Sequence, residues 1–475
     1  MSSDQELLTE QLQILNHLHY TSLGMLYQGS EIRTNRDNRD KRFNAEIRAL
    51  DTVAVLLTTG EPNDVTAVTL DKRGKLELVI AKNRCPTYAD DAAVRNLISL
   101  LTNPAIDDPE DIFPSIMTYC LKNINKRQLQ LHESLSQFLP TVKQVLQQYS
   151  PSLLPTDDEL PNLAAYLCFT HSDPTMDFND IIVNIFQFCL THSQHPLDSN
   201  DKDASYKAYS ALCLGAHVLS HSQFLNKLTC DSQHPTWQQE AQKLKQRLLK
   251  VHQYCFGIRP LVLRVNRLFQ NREIPYRWVD LSVIPYYGEK KPFEISPSFK
   301  EALLHVPVMD PAQTVQNIQK KHPSMFQQPW LSSIHTCIHA EIQIIIDLNP
   351  PTLSTQSSFN CNGPQEPRAI GCSERSCFCC TAWIESFNCQ FSTQWRTSGY
   401  HNKPYTNWAL PAVAYDMDGE GKSRIDRDVL RKVEIELVDV LEQFSDESGR
   451  ELERSITKES LKKLKAILSG LQPYY

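Results

Sequence analysis

Apolar positions near the start of the chain recur at the spacing of one helical face: Leu7, Leu8, Leu12, Leu15 and Leu18 predict a helix over residues 5–27. The pattern then changes. Thr52–Thr59 (TVAVLLTT) is a β-branched, apolar run that closes on Gly60, Pro62, Asn63 and Asp64. Val65–Leu70 and Leu76–Ala81 flank a turn that carries Gly74, and together these segments predict two or three antiparallel strands ending at Asn83. Helical spacing returns from about 87 to 330, over Ala92–Leu101, Ile112–Tyr149, Ala204–Leu219 and Trp237–Phe256 among others. No fixed repeat period supports a solenoid. A long polar loop follows at 346–368, then a strand at Ala369–Cys372, a helix at Cys377–Phe387 and a strand at Trp408–Tyr415. Two helices close the chain, near 427–444 and 449–470.

A length of 475 residues exceeds one ordinary core and predicts two or three folding units. Hydrophobic content of 41% and charged content of 22% are those of a soluble globular protein. A net charge of -7 gives no electrostatic reason for tight, non-specific polynucleotide binding. The densest basic stretch, Arg33–Arg48, is interrupted by Asp37, Asp40 and Glu46 and reads as a solvated face. The opening MSSDQELLTEQLQ lacks a secretory pattern, and no apolar run approaches the ~18 residues that span a bilayer. An intracellular protein, cytoplasmic or nuclear, is expected, with its thiols reduced. Cys168, Cys189 and Cys213 then read as small buried hydrophobes. The group Cys372, Cys377, Cys379 and Cys380 is different, because thiols so dense are explained by metal binding and not by packing.

Two motifs carry the chemistry. Ile338-His339-Ala340-Glu341-Ile342 enters a helix that is apolar on most faces, so burial between layers is expected and both polar side chains need partners. Alone, His-x-Glu is weak. The second motif is Ser376-Cys377-Phe378-Cys379-Cys380, followed by Trp383, Ile384 and Phe387 at helical spacing, with Ser376 as the expected N-cap. Cys377 and Cys380 lie three apart on one face in the first turn, where both sulfurs can reach one ion and the helix terminus favours thiolate. His339, Cys377 and Cys380 make three ligands and leave a tetrahedral position for water, the arrangement of a catalytic Zn2+. Glu341 is the expected proton shuttle. The alternatives are a closed structural zinc that recruits Cys372, Cys379 or His335 (i, i+4 to His339), or no metal. Cys337 is expected to point away into the core.

At these residues the sequence resembles the cytidine deaminase superfamily and, within it, the Orientia-type deaminase-like family common in fungal genomes. The matching motifs are HAEIQIII from His339, the strand Ala369–Ser373 and SCFCC at 376–380. The resemblance implies an α/β protein: a deaminase-like three-layer α/β/α core split by a large all-helical insertion and finished by helices. The implied division is an N-terminal helical segment (1–50), a leading β-hairpin (51–84), the insertion (85–330), the zinc-binding part (331–416) and C-terminal helices (417–475). It also implies that Asn83 contacts substrate, alongside Ala340 and Ser376, while Tyr400 and Trp408 lie in a polar, aromatic loop suited to stacking a flat ring. Ser376 departs from the family, whose members often have proline there. The implied function is zinc-dependent hydrolytic deamination of a nucleobase, nucleoside or related ring, with a small-molecule or nucleobase-containing substrate and no membrane role. The rival is an interaction protein whose zinc only staples the fold and whose helical region binds a protein partner.

Overall fold

The computed structural model describes residues 2–445 except 23–37, 107–108, 150–158, 174, 199–200, 232–233, 270–272, 284–291, 309, 350–365, 402, 413–416 and 418–422. The closing helix expected at 449–470 and most of the loop expected at 346–368 lie outside the described residues.

The chain begins with α1 (Ser2–Ser22), α2 (Asn38–Leu56) and the hairpin β1 (Thr66–Asp71) and β2 (Glu77–Lys82). A helical run follows: α3 (Tyr88–Thr102), α4 (Pro109–Gln148), α5 (Leu163–Thr170), α6 (Phe178–Ser193), α7 (Lys202–His221), α8 (Gln223–Leu228), α9 (Pro235–Phe256) and α10 (Ile258–Leu268). Next come β3 (Tyr276–Trp278), β4 (Phe293–Glu294), α11 (Phe299–Leu304), α12 (Pro311–Lys321) and β5 (Ser333–Ile334). The last described part holds α13 (Ala340–Leu348), β6 (Arg368–Cys372), α14 (Phe378–Phe391), β7 (Trp395–Thr397) and α15 (Arg424–Ser445).

Five strands form a mixed sheet in the order β3-β2-β1-β6-β7. β1 pairs antiparallel with both β2 and β6, while β2–β3 and β6–β7 are parallel. Side chains alternate across the sheet, as the two-residue period of a strand requires. Val68, Leu78, Ile80 and Ala369 enter a hydrophobic cluster shared with α2 and the helices from α3 to α10. Ala67, Val79, Ala81 and Ile370 enter a second cluster with α1, α11, α12, α13, α14 and α15. The described residues are thus mostly helical around a five-stranded mixed sheet, with β4 and β5 pairing apart from it.

Four expectations need correction. Thr52–Leu56 is the end of α2 and not a strand. Ile47, Leu50, Ala54 and Leu57 follow helical spacing and are buried, and Thr52 donates to the Arg48 carbonyl at 2.9 Å. A short β-branched run reads alike in both periods, so the true hairpin spans only 66–82. The region 85–330 is not all-helical, because β3 extends the sheet beside β2 and the cluster of the helices is continuous with a sheet face. Of the strand expected at Trp408–Tyr415, residues 408–412 show only an isolated bridge of Trp408 with Cys337, and 413–415 lie outside the described residues. Cys189 and Cys213 are buried, but Cys168 is exposed. Among the described residues, no helix is long and apolar enough to cross a membrane.

Candidate metal centre

α13 is buried along its length except at Asp347, and Ile342, Ile344 and Ile345 have no exposed surface. The helix begins only at Ala340. His339 is its N-cap, with φ -69° and ψ 150°, and its ring makes no cap hydrogen bond. The first-turn N–H of Ala340, which has no partner within its own helix, donates to Asn83 Oδ1 at 2.8 Å. Asn83 therefore caps α13 from the end of β2 and leaves the imidazole free. Gln343 ties the same helix to β2 by donating to the Lys82 carbonyl at 2.9 Å.

Cys377, not Ser376, is the N-cap of α14, and its sulfur accepts from the Cys380 N–H at 3.4 Å. Ser376 holds the approach to the helix. Its N–H donates to Gly399 O and its carbonyl accepts from His401 N–H, both at 3.1 Å, and its hydroxyl donates to Thr397 Oγ1.

His339 Nδ1 lies 3.6 Å from Cys377 Sγ and 3.3 Å from Cys380 Sγ. Bond lengths for tetrahedral zinc place an imidazole nitrogen and a thiolate about 3.6 Å apart. The donor atoms therefore sit at the separations one ion needs. All three residues are buried, and among the described residues no fourth His, Cys, Asp or Glu joins them at coordinating distance. Cys372, Cys379 and His335 do not enter the group. The i, i+4 pairing of His335 with His339 is absent because 335–339 precedes the helix. Glu341 is buried beside the group without belonging to it, near Cys380.

The electrostatics suit a cation. Burial alone would raise the Cys377 thiol, but the Cys380 thiol, the His339 charge and the Cys380 N–H together hold it well below its ordinary value. Burial opposes a charged His339, yet the Cys377 thiolate raises its pKa. Burial raises Cys380, and it also raises Glu341, where the Cys377 charge adds to it and His339 opposes it. A buried site with a thiol held low and a carboxyl whose charge burial opposes gains by receiving a divalent ion.

The surrounding loop supplies supports that the motifs do not reveal. Cys337 exchanges backbone hydrogen bonds with Asn407 and Ala409, at 2.8 and 3.0 Å. It is half-buried beside the site instead of pointing away, and its thiol is pushed up to about 12 by burial and then by Cys377 and Glu341. The bridge carries Trp408 beneath the cluster, where its indole N–H donates to Cys380 Sγ at 3.2 Å and no surface remains exposed. Tyr400 is half-exposed opposite Ser376. Tyr405 and His401, not singled out from the sequence, stand near: the Tyr405 ring lies 5.9 Å from the His339 ring and 5.6 Å from that of His401. His401 also lines a cleft of about 420 Å³ with Arg375, Gln137 and Phe138 of α4, and Gln242 and Lys243 of α9.

Residues 338–412 match the model of a family described as OTT_1508-like deaminase. This part of the chain is a deaminase-like domain. No curated protein and no solved structure matches the chain. The deaminase-like domain contains the metal-compatible His339, Cys377 and Cys380 with Glu341, whereas Asn83 reaches it from outside the matched residues.

Proposed function

We propose that the protein is a zinc-dependent hydrolytic deaminase acting on a nucleobase, nucleoside or related amidine-like ring, built on a three-layer α/β/α core that is split by the helices between β2 and β3. The observation that carries this reading is the buried convergence of one imidazole and two thiols, with a non-ligating glutamate beside them, inside the deaminase-like domain. His339, Cys377 and Cys380 would hold the ion. A zinc ion with three protein ligands supplies Lewis acidity and makes water a competent nucleophile near neutral pH. Glu341 takes a proton from the attacking water and delivers it to the leaving nitrogen, so that water is consumed and ammonia released. Its raised pKa suits that exchange, because the carboxyl keeps a proton more readily than a surface glutamate.

Asn83 and Ala340 fix the start of α13, Ser376 fixes the start of α14, and Trp408 supports Cys380. Tyr400, with Tyr405 and His401, offers aromatic faces for a flat ring. The glutamine-rich cleft with Lys243 and Arg375 suits a polar small molecule better than a polynucleotide, in keeping with the acidic balance of the chain. The reading is tested with Glu341→Gln. Ammonia release from nucleosides and nucleotides falls by about 10²–10⁴-fold while metal content is unchanged. Undiminished turnover by that variant rejects the mechanism.

A further inference from the structure

We propose that His217, His221 and His252 form a second metal site, a three-imidazole site for a borderline divalent transition ion such as Zn2+. It shares no residue with the cysteine-containing cluster. His217 and His221 are one helical turn apart at the end of α7, and His252 faces them from α9. The ring centroids are separated by 4.4, 5.2 and 5.4 Å, and one nitrogen from each ring lies within 4.8 Å of the others.

An accounting of the nitrogens points to a ligand. His221 Nδ1 lies 3.0 Å from the His217 carbonyl, which can only accept, so the lone pair of neutral His221 is on Nε2. A histidine tethered to a backbone carbonyl through its second nitrogen is the usual outer-shell support of a metal ligand. Asn162 Nδ2 lies 2.8 Å from His217 Nε2, while the buried Nδ1 has no hydrogen-bond partner among the described residues; turning that amide, so that its oxygen accepts from Nε2–H, leaves the Nδ1 lone pair for an ion. His252 has no such partner at either ring nitrogen. Asn162 sits in the left-handed region at φ 63°, a conformation asparagine tolerates better than most residues.

Packing alone explains less. Phe256 stacks on His217 with centroids 4.3 Å apart, which accounts for where the ring sits but leaves three buried nitrogens unpaired. Such atoms are costly without a partner, and one ion takes His217 Nδ1 together with one nitrogen of His252. Burial, reinforced by the neighbouring imidazoles, lowers His217 to about 4 and His252 to about 3, so both are neutral ligands at physiological pH. Tetrahedral zinc needs nitrogen donors about 3.3 Å apart, a closure within reach of side-chain rotation. Three nitrogen donors without sulfur favour zinc, copper(II) or nickel(II) over calcium or magnesium. The ion cross-links α7 to α9.

The test uses the full chain stripped of metal and titrated with Zn2+, with content read by elemental analysis after desalting. Wild type retains two equivalents. His221→Gln, at an exposed position that leaves the core intact, retains one, and so does His252→Gln. A Cys377→Ser/Cys380→Ser variant also retains one, now at the histidines. A Co2+ titration separates the sites further, because only one equivalent gives sulfur-to-metal charge transfer. A wild-type equivalent that is retained undiminished in His221→Gln and His252→Gln, whether one or two in all, overturns the proposal. If His252→Gln fails to fold, His221→Gln decides alone. Loss of the cysteine-bound equivalent alone would count against the deaminase reading and leave this site standing.

Discussion

A Cβ on Gly371 would lie 2.1 Å from the Leu50 carbonyl carbon and 2.3 Å from the Asp51 nitrogen, so only glycine lets α2 lie this close to β6. Both obstacles are backbone, and neither can swing aside. Gly371→Ala is expected to destabilise the protein by about 3 kcal/mol, read from the denaturant midpoint, because α2 must move as a body. Trp408 tests the support of the ligands. Trp408→Phe keeps most of the buried volume but removes the N–H that donates to Cys380 Sγ. Zinc affinity should fall about 10–100-fold with little change in secondary structure, as measured by competition with a chromophoric chelator. The convergence of His339, Cys377 and Cys380 was legible because a His-x-Glu and a Cys-x-x-Cys at a helix start, weak singly, have few other uses together. The task of Trp408 was not, since it arises from a bridge to Cys337 across a long interval of chain. His217 and His221 show the i, i+4 spacing in the sequence, but nothing there indicates that His252 meets them.

α2 joins the site to the sheet through a buried carboxyl. Asp51 accepts from the Cys372 N–H at 2.8 Å, and burial pushes its pKa up to about 7 against that hydrogen bond. The folded state therefore favours the protonated acid. Its contribution is greatest below the ordinary carboxylate value of 3.8 and is lost as pH rises through about 7. That loss amounts to about 4 kcal/mol at most. Asp51→Asn should flatten the fall in stability between about pH 4 and 7, as followed by denaturation at each pH; an unchanged slope assigns it to other groups. The strand reading of 52–59 failed because Val53, Val55 and Thr58 suit either period locally, and only the longer window from Ile47 shows the helix. β7 was missed because three residues, Trp395–Thr397, carry no periodicity. α13 and α14 were legible because each couples a motif to a long apolar face.

Two buried polar contacts fasten the helical region, one to the β-hairpin and one to the deaminase-like domain. Lys82 is fully buried, 2.7 Å from both Asp64 and Asp90, with Arg84 completing the pairing. Asp90 is held well below the carboxylate range: burial opposes its charge, but bonds from Arg84, Lys82, Thr87 and Tyr119 outweigh it. Lys82→Met leaves two buried carboxylates short of a cation and should cost about 3–5 kcal/mol, measured as a lowered denaturation midpoint. The second fastening is Arg127 of α4, which donates to the Ser373 carbonyl at 3.1 Å and so grips the loop that leads to Cys377. The order of hairpin, HAE helix, strand and cysteine helix was legible because each short element is adjacent to its own motif. The sharing of one hydrophobic cluster by the sheet and the helices was not, because which face a helix covers is a tertiary fact. Whether His339, Cys377 and Cys380 share one ion is read by zinc K-edge X-ray absorption on the His221→Gln variant carrying one equivalent of Zn2+. Two sulfur neighbours at about 2.3 Å are expected, with the remaining neighbours nitrogen or oxygen. A shell of four sulfurs, or one containing no sulfur, would contradict the shared site.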